Sequence, residues 1–112
     1  MGSSYDDLRA LPADVQDRIG FALNVAQFGG KHFTAKAWKG EGPGVLEVVE
    51  DFQGNTYRAV YTMRFETAVY VLHVFQKKSP RGRQTARPHI ALIRSRLRQA
   101  ALDYRERYGQ NA

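Results

Sequence analysis

The sequence predicts an α+β domain in which a small antiparallel β-sheet packs against an N-terminal and a C-terminal helix. Three observations predict it. Apolar residues recur at helical spacing over about 12–28. Three strand-like runs between 45 and 77 are joined by connections of only a few residues, which implies antiparallel pairing. A second helical stripe fills 89–108.

In the first helix, Pro12 suits the first turn, where a missing N–H costs nothing. Asp14 and Asp17 place negative charge near the positive helix end. Val15, Ile19, Ala22, Leu23 and Ala26 form the apolar stripe, widened by Phe21, Val25 and Phe28. Gly29 and Gly30 stop it. Residues 4–11 have room for a short preceding turn of helix. Residues 31–44 read as a loop, with Gly40, Gly42, Pro43 and Gly44 turning into a strand and Lys31, Lys36 and Lys39 spaced along it. No Walker pattern follows, so a structural turn is expected rather than a phosphate cradle.

The first strand is 45–51, and Phe52-Gln53-Gly54-Asn55 is a hairpin signal. The second, 56–65, alternates: Tyr57, Ala59, Tyr61, Met63 and Phe65 face one way, Thr56, Arg58, Val60, Thr62 and Arg64 the other. Glu66 and Thr67 make a short turn. The third strand, 68–77, is apolar on both faces until its end, the pattern of a central strand. A polar, basic loop covers 79–88. The last helix presents Ile90, Ile93, Leu97, Ala100 or Ala101, Tyr104 and Tyr108 to the core. Arg96, Arg98, Arg105 and Arg107 fall mostly off that stripe, and Asp103 can pair with Arg107 one turn on.

A chain of 112 residues suits one domain, 1–112, and can bury a core without staples. With no cysteine there is no disulfide framework, thiolate zinc site or cysteine nucleophile. His32, His73 and His89 stand in no ligand spacing, so neither a metal nor a cofactor is expected. No apolar run approaches the roughly 20 residues of a membrane helix. The first residues lack a signal pattern, and Asp6 stands where a myristoylation motif wants Ser or Thr. The expected location is the cytoplasm. Charge is uneven: residues 1–75 carry 7 Lys/Arg against 9 Asp/Glu, net −2, whereas residues 76–107 carry 10 against 2, net +8. A basic face of this kind suits a polyanion or an acidic partner.

Several strings together resemble a known family. Lys36-Ala37-Trp38-Lys39-Gly40 leads into Gly44-Val45-Leu46-Glu47, and Thr56-Tyr57-Arg58-Ala59-Val60-Tyr61 follows. Then come Tyr70-Val71-Leu72-His73-Val74-Phe75-Gln76-Lys77-Lys78-Ser79 and Ile93-Arg94-Ser95-Arg96-Leu97. The series, spanning about 4–104, resembles the phage-derived, HigB-like branch of the RelE/ParE toxin superfamily. The resemblance implies a RelE-like sheet of three to four strands and the toxin of a type II toxin–antitoxin pair. It further implies a metal-independent endoribonuclease that cuts mRNA on the ribosome, with a helix-turn-helix, HigA-like antitoxin as partner. The ParE-like relatives instead inhibit DNA gyrase on the same scaffold, and a non-toxic regulatory binding module is a third possibility. Members usually carry a further N-terminal strand. Here three residues precede Ser4, so either the start lies elsewhere or the sheet lacks that edge.

Within this frame Arg58 suits a scissile phosphate, because a fixed guanidinium matches its developing charge. The competing reading is an ion pair with Glu47 or Glu50 on the neighbouring strand. Lys77 and Lys78 end a strand and face opposite ways. Adjacent cations lower each other's pKa, which suits a lysine base, and Lys77 shares a face with His73. His73 has a fitting pKa for a base but more often such a residue is a satisfied core histidine. His89 heads the last helix beside the basic loop, where it either reaches a phosphate or simply begins the helix, the second being the more ordinary role. Tyr57 and Tyr61 read as core, with stacking on a base as the alternative. Lys39, Arg81, Arg83 and Arg87 are candidates for the backbone of mRNA or ribosomal RNA.

Overall fold

A computed structural model describes residues 4–28, 35–65, 68–77 and 87–108, with the backbone alone for Arg64, Ala68, Lys77 and Tyr108. Two helices open the chain, α1 at Ser4–Arg9 and α2 at Ala13–Gln27. Four strands follow: β1 at Ala35–Ala37, β2 at Val45–Phe52, β3 at Asn55–Phe65 and β4 at Ala68–Lys77. The helix α3, Arg87–Tyr108, closes the described chain.

The strands form one sheet in the order β1-β2-β3-β4, each pair antiparallel. Connections this short leave adjacent antiparallel strands as the available solution. Between β2 and β3, Gln53 and Gly54 both adopt positive φ, 51° and 81°, as a two-residue hairpin with the sheet's own twist requires. The expected loop at 31–44 holds more order than its glycines suggested. Residues 35–37 pair with β2, and the turn back is closed by Trp38 N–H donating to Val45 O at 2.9 Å. Residues 31–34 and Gly29-Gly30 lie outside the described residues.

Alternation along β3 divides the core between two helices. Tyr57, Ala59 and Tyr61 pack with Val15, Ile19, Ala22 and Ala26 of α2. Val60 packs with Ile93, Leu97 and Ala100 of α3, along with Trp38, Val45, Leu72 and Phe75. Successive strand residues point to opposite faces, so α2 and α3 cover opposite sides of the sheet. Pro12 is the residue before α2 rather than its first turn, with φ −54° and ψ 145° and no side-chain cap. Gln16 Nε2 instead donates to Arg9 O at 2.9 Å and Leu11 O at 2.7 Å, tying α1 to α2.

Three expectations need correction. The segment 68–77 is not central: among the described strands, β4 is an edge of the sheet. It is apolar on both faces because α2 and α3 each cover one, while α1 packs along it as well. Phe65 does not share the face of Tyr57 and Tyr61. The register shifts between Thr62 and Phe65, a β-bulge, and the extra residue turns Phe65 toward α3, where it stacks on Tyr104 at 4.8 Å. Arg96 does not lie off the buried stripe of α3: it is 8% exposed.

Candidate functional site

The face of the sheet that meets α3 gathers the chemistry. Arg58 lies on β3 directly opposite Phe75 of β4, and His73 pairs with Val60 two residues further along. Directly opposed strand residues have their Cβ atoms within about 5.5 Å, so Arg58 and Phe75 are immediate neighbours. A second register shift, between Val60 and Tyr61, accommodates Leu72 as an extra residue on β4. It sets both Leu72 and His73 against α3.

Arg58 is held from the other side. Its Nη1 lies 3.5 Å from Glu47 Oε2 on β2, and the side chains are 13% and 8% exposed. Lys36 of β1 approaches the same carboxylate at 3.8 Å but is itself well exposed. Of the two acids expected to compete for Arg58, Glu47 is the partner. Glu50 faces α2 instead and meets Arg18 at 4.0 Å. The Glu47 contact is long for a charge-assisted hydrogen bond, and Arg58 Nε is buried with no hydrogen-bond partner among the described residues. The guanidinium is oriented by Glu47 without being saturated by it.

His73 is 6% exposed and engaged at both ring nitrogens. Nε2 is 2.8 Å from His89 Nδ1, and Nδ1 is 3.5 Å from Arg96 Nη1. Phe75 stacks on both imidazoles, with centroids 4.7 Å from His73 and 4.3 Å from His89. Burial, then the charges of His89 and Arg96, lower the His73 pKa to about 4, with Asp7 opposing. Burial also lowers that of His89. Both rings are therefore neutral at pH 7. Arg96 Nη1 donates to Leu72 O at 2.8 Å and to Ser4 Oγ at 3.2 Å, joining α3, β4 and α1 behind the histidines.

Lys77 is described by its backbone, paired with Thr56 at the end of β4. Lys78, Arg81 and Arg83 lie outside the described residues. Arg87 is exposed at the start of α3, and Lys39 is exposed in the β1–β2 turn. That turn is fastened to α3 by Arg94 Nε donating to Glu41 Oε2 at 2.6 Å. Tyr57 and Tyr61 are core, at 5% and 0% exposure. Arg96 and Phe75 join the histidines without being among the expected site residues, whereas for His89 a phosphate contact was one of two expected roles. The place of Arg96 is legible in the sequence, because it stands three residues after Ile93 and four before Ala100. Among the described residues, no group of three His, Cys, Asp or Glu could hold a metal ion. Among them, too, no helix is long and apolar enough to cross a membrane.

The four-stranded antiparallel sheet with helices on both sides is an α+β fold compatible with the RelE-like architecture. A family model described as Phage derived protein Gp49-like (DUF891) matches residues 6–98, and the chain belongs to that family, which lies in the RelE-like toxin–antitoxin group. No curated protein and no solved structure matches it.

Proposed function

We propose that the chain is the toxin of a type II toxin–antitoxin pair and, of the HigB-like kind, cuts mRNA on the ribosome without a metal. The observation that carries this reading is the juxtaposition of an unsaturated, oriented Arg58 with neutral imidazoles on one sheet face, in a chain of a toxin–antitoxin-associated family. In the reaction, a base removes the proton of the RNA 2′-hydroxyl and the 2′-oxygen attacks the adjacent phosphorus. The bond from phosphorus to the 5′-oxygen breaks, leaving a 2′,3′-cyclic phosphate, and an acid protonates the departing oxygen. Arg58 stabilises the charge that builds on the phosphorane oxygens. Of the three expected candidates for the base, Lys77, Lys78 and His73, the lysines fit better, since His73 is buried and committed on both sides. Lys39, Arg81, Arg83 and Arg87 hold the RNA backbone. The ribosome supplies part of the positioning, so few protein groups are needed. The partner is a helix-turn-helix, HigA-like antitoxin encoded beside the toxin.

The test is induction of the chain alone in cells, followed by primer extension on cellular mRNA. Growth arrest with codon-linked cuts is expected. Arrest with intact mRNA and an SOS response would replace this reading by gyrase inhibition, and no arrest at all would leave a regulatory binding module.

A further inference from the structure

The histidine pair has a direction, set by the cation behind it. Arg96 Nη1 faces His73 Nδ1 at 3.5 Å while donating to the Leu72 carbonyl and the Ser4 hydroxyl. A guanidinium has hydrogens and no acceptor. A hydrogen on His73 Nδ1 would point at that cation, so Nδ1 carries the lone pair and the hydrogen sits on Nε2. Nε2 lies 2.8 Å from His89 Nδ1, and it must donate there. His89 Nδ1 is then an acceptor. A neutral His89 keeps its one hydrogen on Nε2, the nitrogen turned away from His73. His89 is only half-buried, whereas His73 is enclosed. Its ring rests on Phe75, the cross-strand neighbour of Arg58.

We propose that Arg96, acting through His73, fixes the tautomer of His89, so that His89 presents a permanent Nε2–H donor, on the sheet face that carries Arg58, to a non-bridging oxygen of an RNA phosphodiester. The phosphodiester half rests on the mRNA-cleavage reading above; the tautomer half does not. His89 is then a catalytic residue, and His73 and Arg96 are positioning residues. No proton leaves the imidazole in this role. The hydrogen bond strengthens as negative charge develops on the phosphorane oxygen, and a donor already fixed needs no reorganisation. His89 is unsuited to be the base, because one nitrogen already accepts from His73 and the other already bears hydrogen. The charged and titratable groups acting on His73 are His89 and Arg96 from α3 and Asp7 from α1. Burial holds both rings in the neutral form the relay requires.

The direct test is the 15N spectrum of the full chain labelled in histidine at pH 7. His73 and His89 are both expected as Nε2–H tautomers, and Arg96→Gln is expected to mix the tautomers of His73. An Nδ1–H tautomer or a charged ring at His89 overturns the relay. Adding a 2′-O-methyl RNA oligonucleotide, which cannot be cut, is expected to move the His89 Nε2–H signal. An unmoved signal with the oligonucleotide bound overturns the phosphate contact. On translating ribosomes, His89→Ala is expected to lower kcat on the order of 10²-fold, with His89→Gln, which keeps an N–H donor, recovering about tenfold of that. Wild-type rates in His89→Ala sink the inference and spare the cleavage reading. Fixed Nε2–H tautomers in a protein that cuts no mRNA sink the cleavage reading and keep the relay.

Discussion

At the scale of single residues, Arg58 and Glu47 cannot be judged separately. Arg58→Ala leaves a carboxylate that is 6% exposed and, among the described residues, has Lys36 as its remaining cation, at 3.8 Å. A fully broken buried pair costs ~3–5 kcal/mol, and the remaining lysine should bring this to about 1–3 kcal/mol. Arg58→Lys keeps the charge and should keep most of that stability, but it loses the planar fork suited to phosphate. The expectation is that both variants abolish growth arrest and only Arg58→Ala lowers the urea midpoint appreciably. Undiminished arrest in both variants at equal expression would remove Arg58 from the site.

His73 gives a second residue-scale expectation, in pH. Its folded pKa of about 4 lies below the unfolded value of 6.5. Above pH 6.5 neither state takes the proton, and stability is at its full value. Between 6.5 and 4 only the unfolded chain takes it, so stability falls as pH falls, by about 3 kcal/mol in all. His89 acts in the same direction. Urea midpoints at pH 7 and pH 5 should therefore differ, and the difference should shrink in His73→Gln. An equal difference in that variant would show that other groups cause it.

At the scale of elements, the β2–β3 hairpin is the clearest case of local sequence dictating structure. Gln53 stands at φ 51° without the tolerance of Asn or Gly, whereas Gly54 stands at φ 81° with open space where a Cβ would go. Gln53→Asn is expected to raise stability by a few tenths of a kcal/mol, and Gly54→Ala to lower it by about 1 kcal/mol. Denaturant titration of both variants decides this, and a stabilising Gly54→Ala would contradict the turn geometry. Legibility tracks locality here. The positions of α2, α3 and the three long strands follow from periods of 3.6 and 2 within each segment. The edge position of β4 does not, because apolar residues on both faces report cover above and below, not how many strands lie alongside. The turn of Phe65 depends on a bulge that no alternation rule contains. The pairing of His73 with His89 joins a strand to a helix, and only the packed fold brings them together. Arg96 is hidden for another reason: a charged side chain argues for the surface even where its spacing from Ile93 and Ala100 places it in the stripe.

At the scale of the whole molecule, the asymmetry of charge is the dominant feature, with net +8 over residues 76–107. If that surface grips RNA, neutralising Arg81, Arg83 and Arg87 together should weaken ribosome association and flatten its salt dependence. On simple nucleic acids each lost phosphate contact removes roughly 0.7–0.9 from the log–log slope. Folding is expected to shift by less than about 0.5 kcal/mol. An unaltered affinity and slope would make the loop a solvated surface, and a loss confined to antitoxin binding would assign it to the protein partner.

The bond from Arg96 to Ser4 closes 92 residues of chain. Translation delivers the pieces in order, and the early part of a chain can begin to fold while the rest is still being made. Arg58 and its carboxylate partner belong to a hairpin that can form while α3 is still unsynthesised. His89 and Arg96 arrive last, and until they dock, the imidazole pair does not exist. A nascent chain therefore lacks the imidazole pair until α3 has been made and has docked.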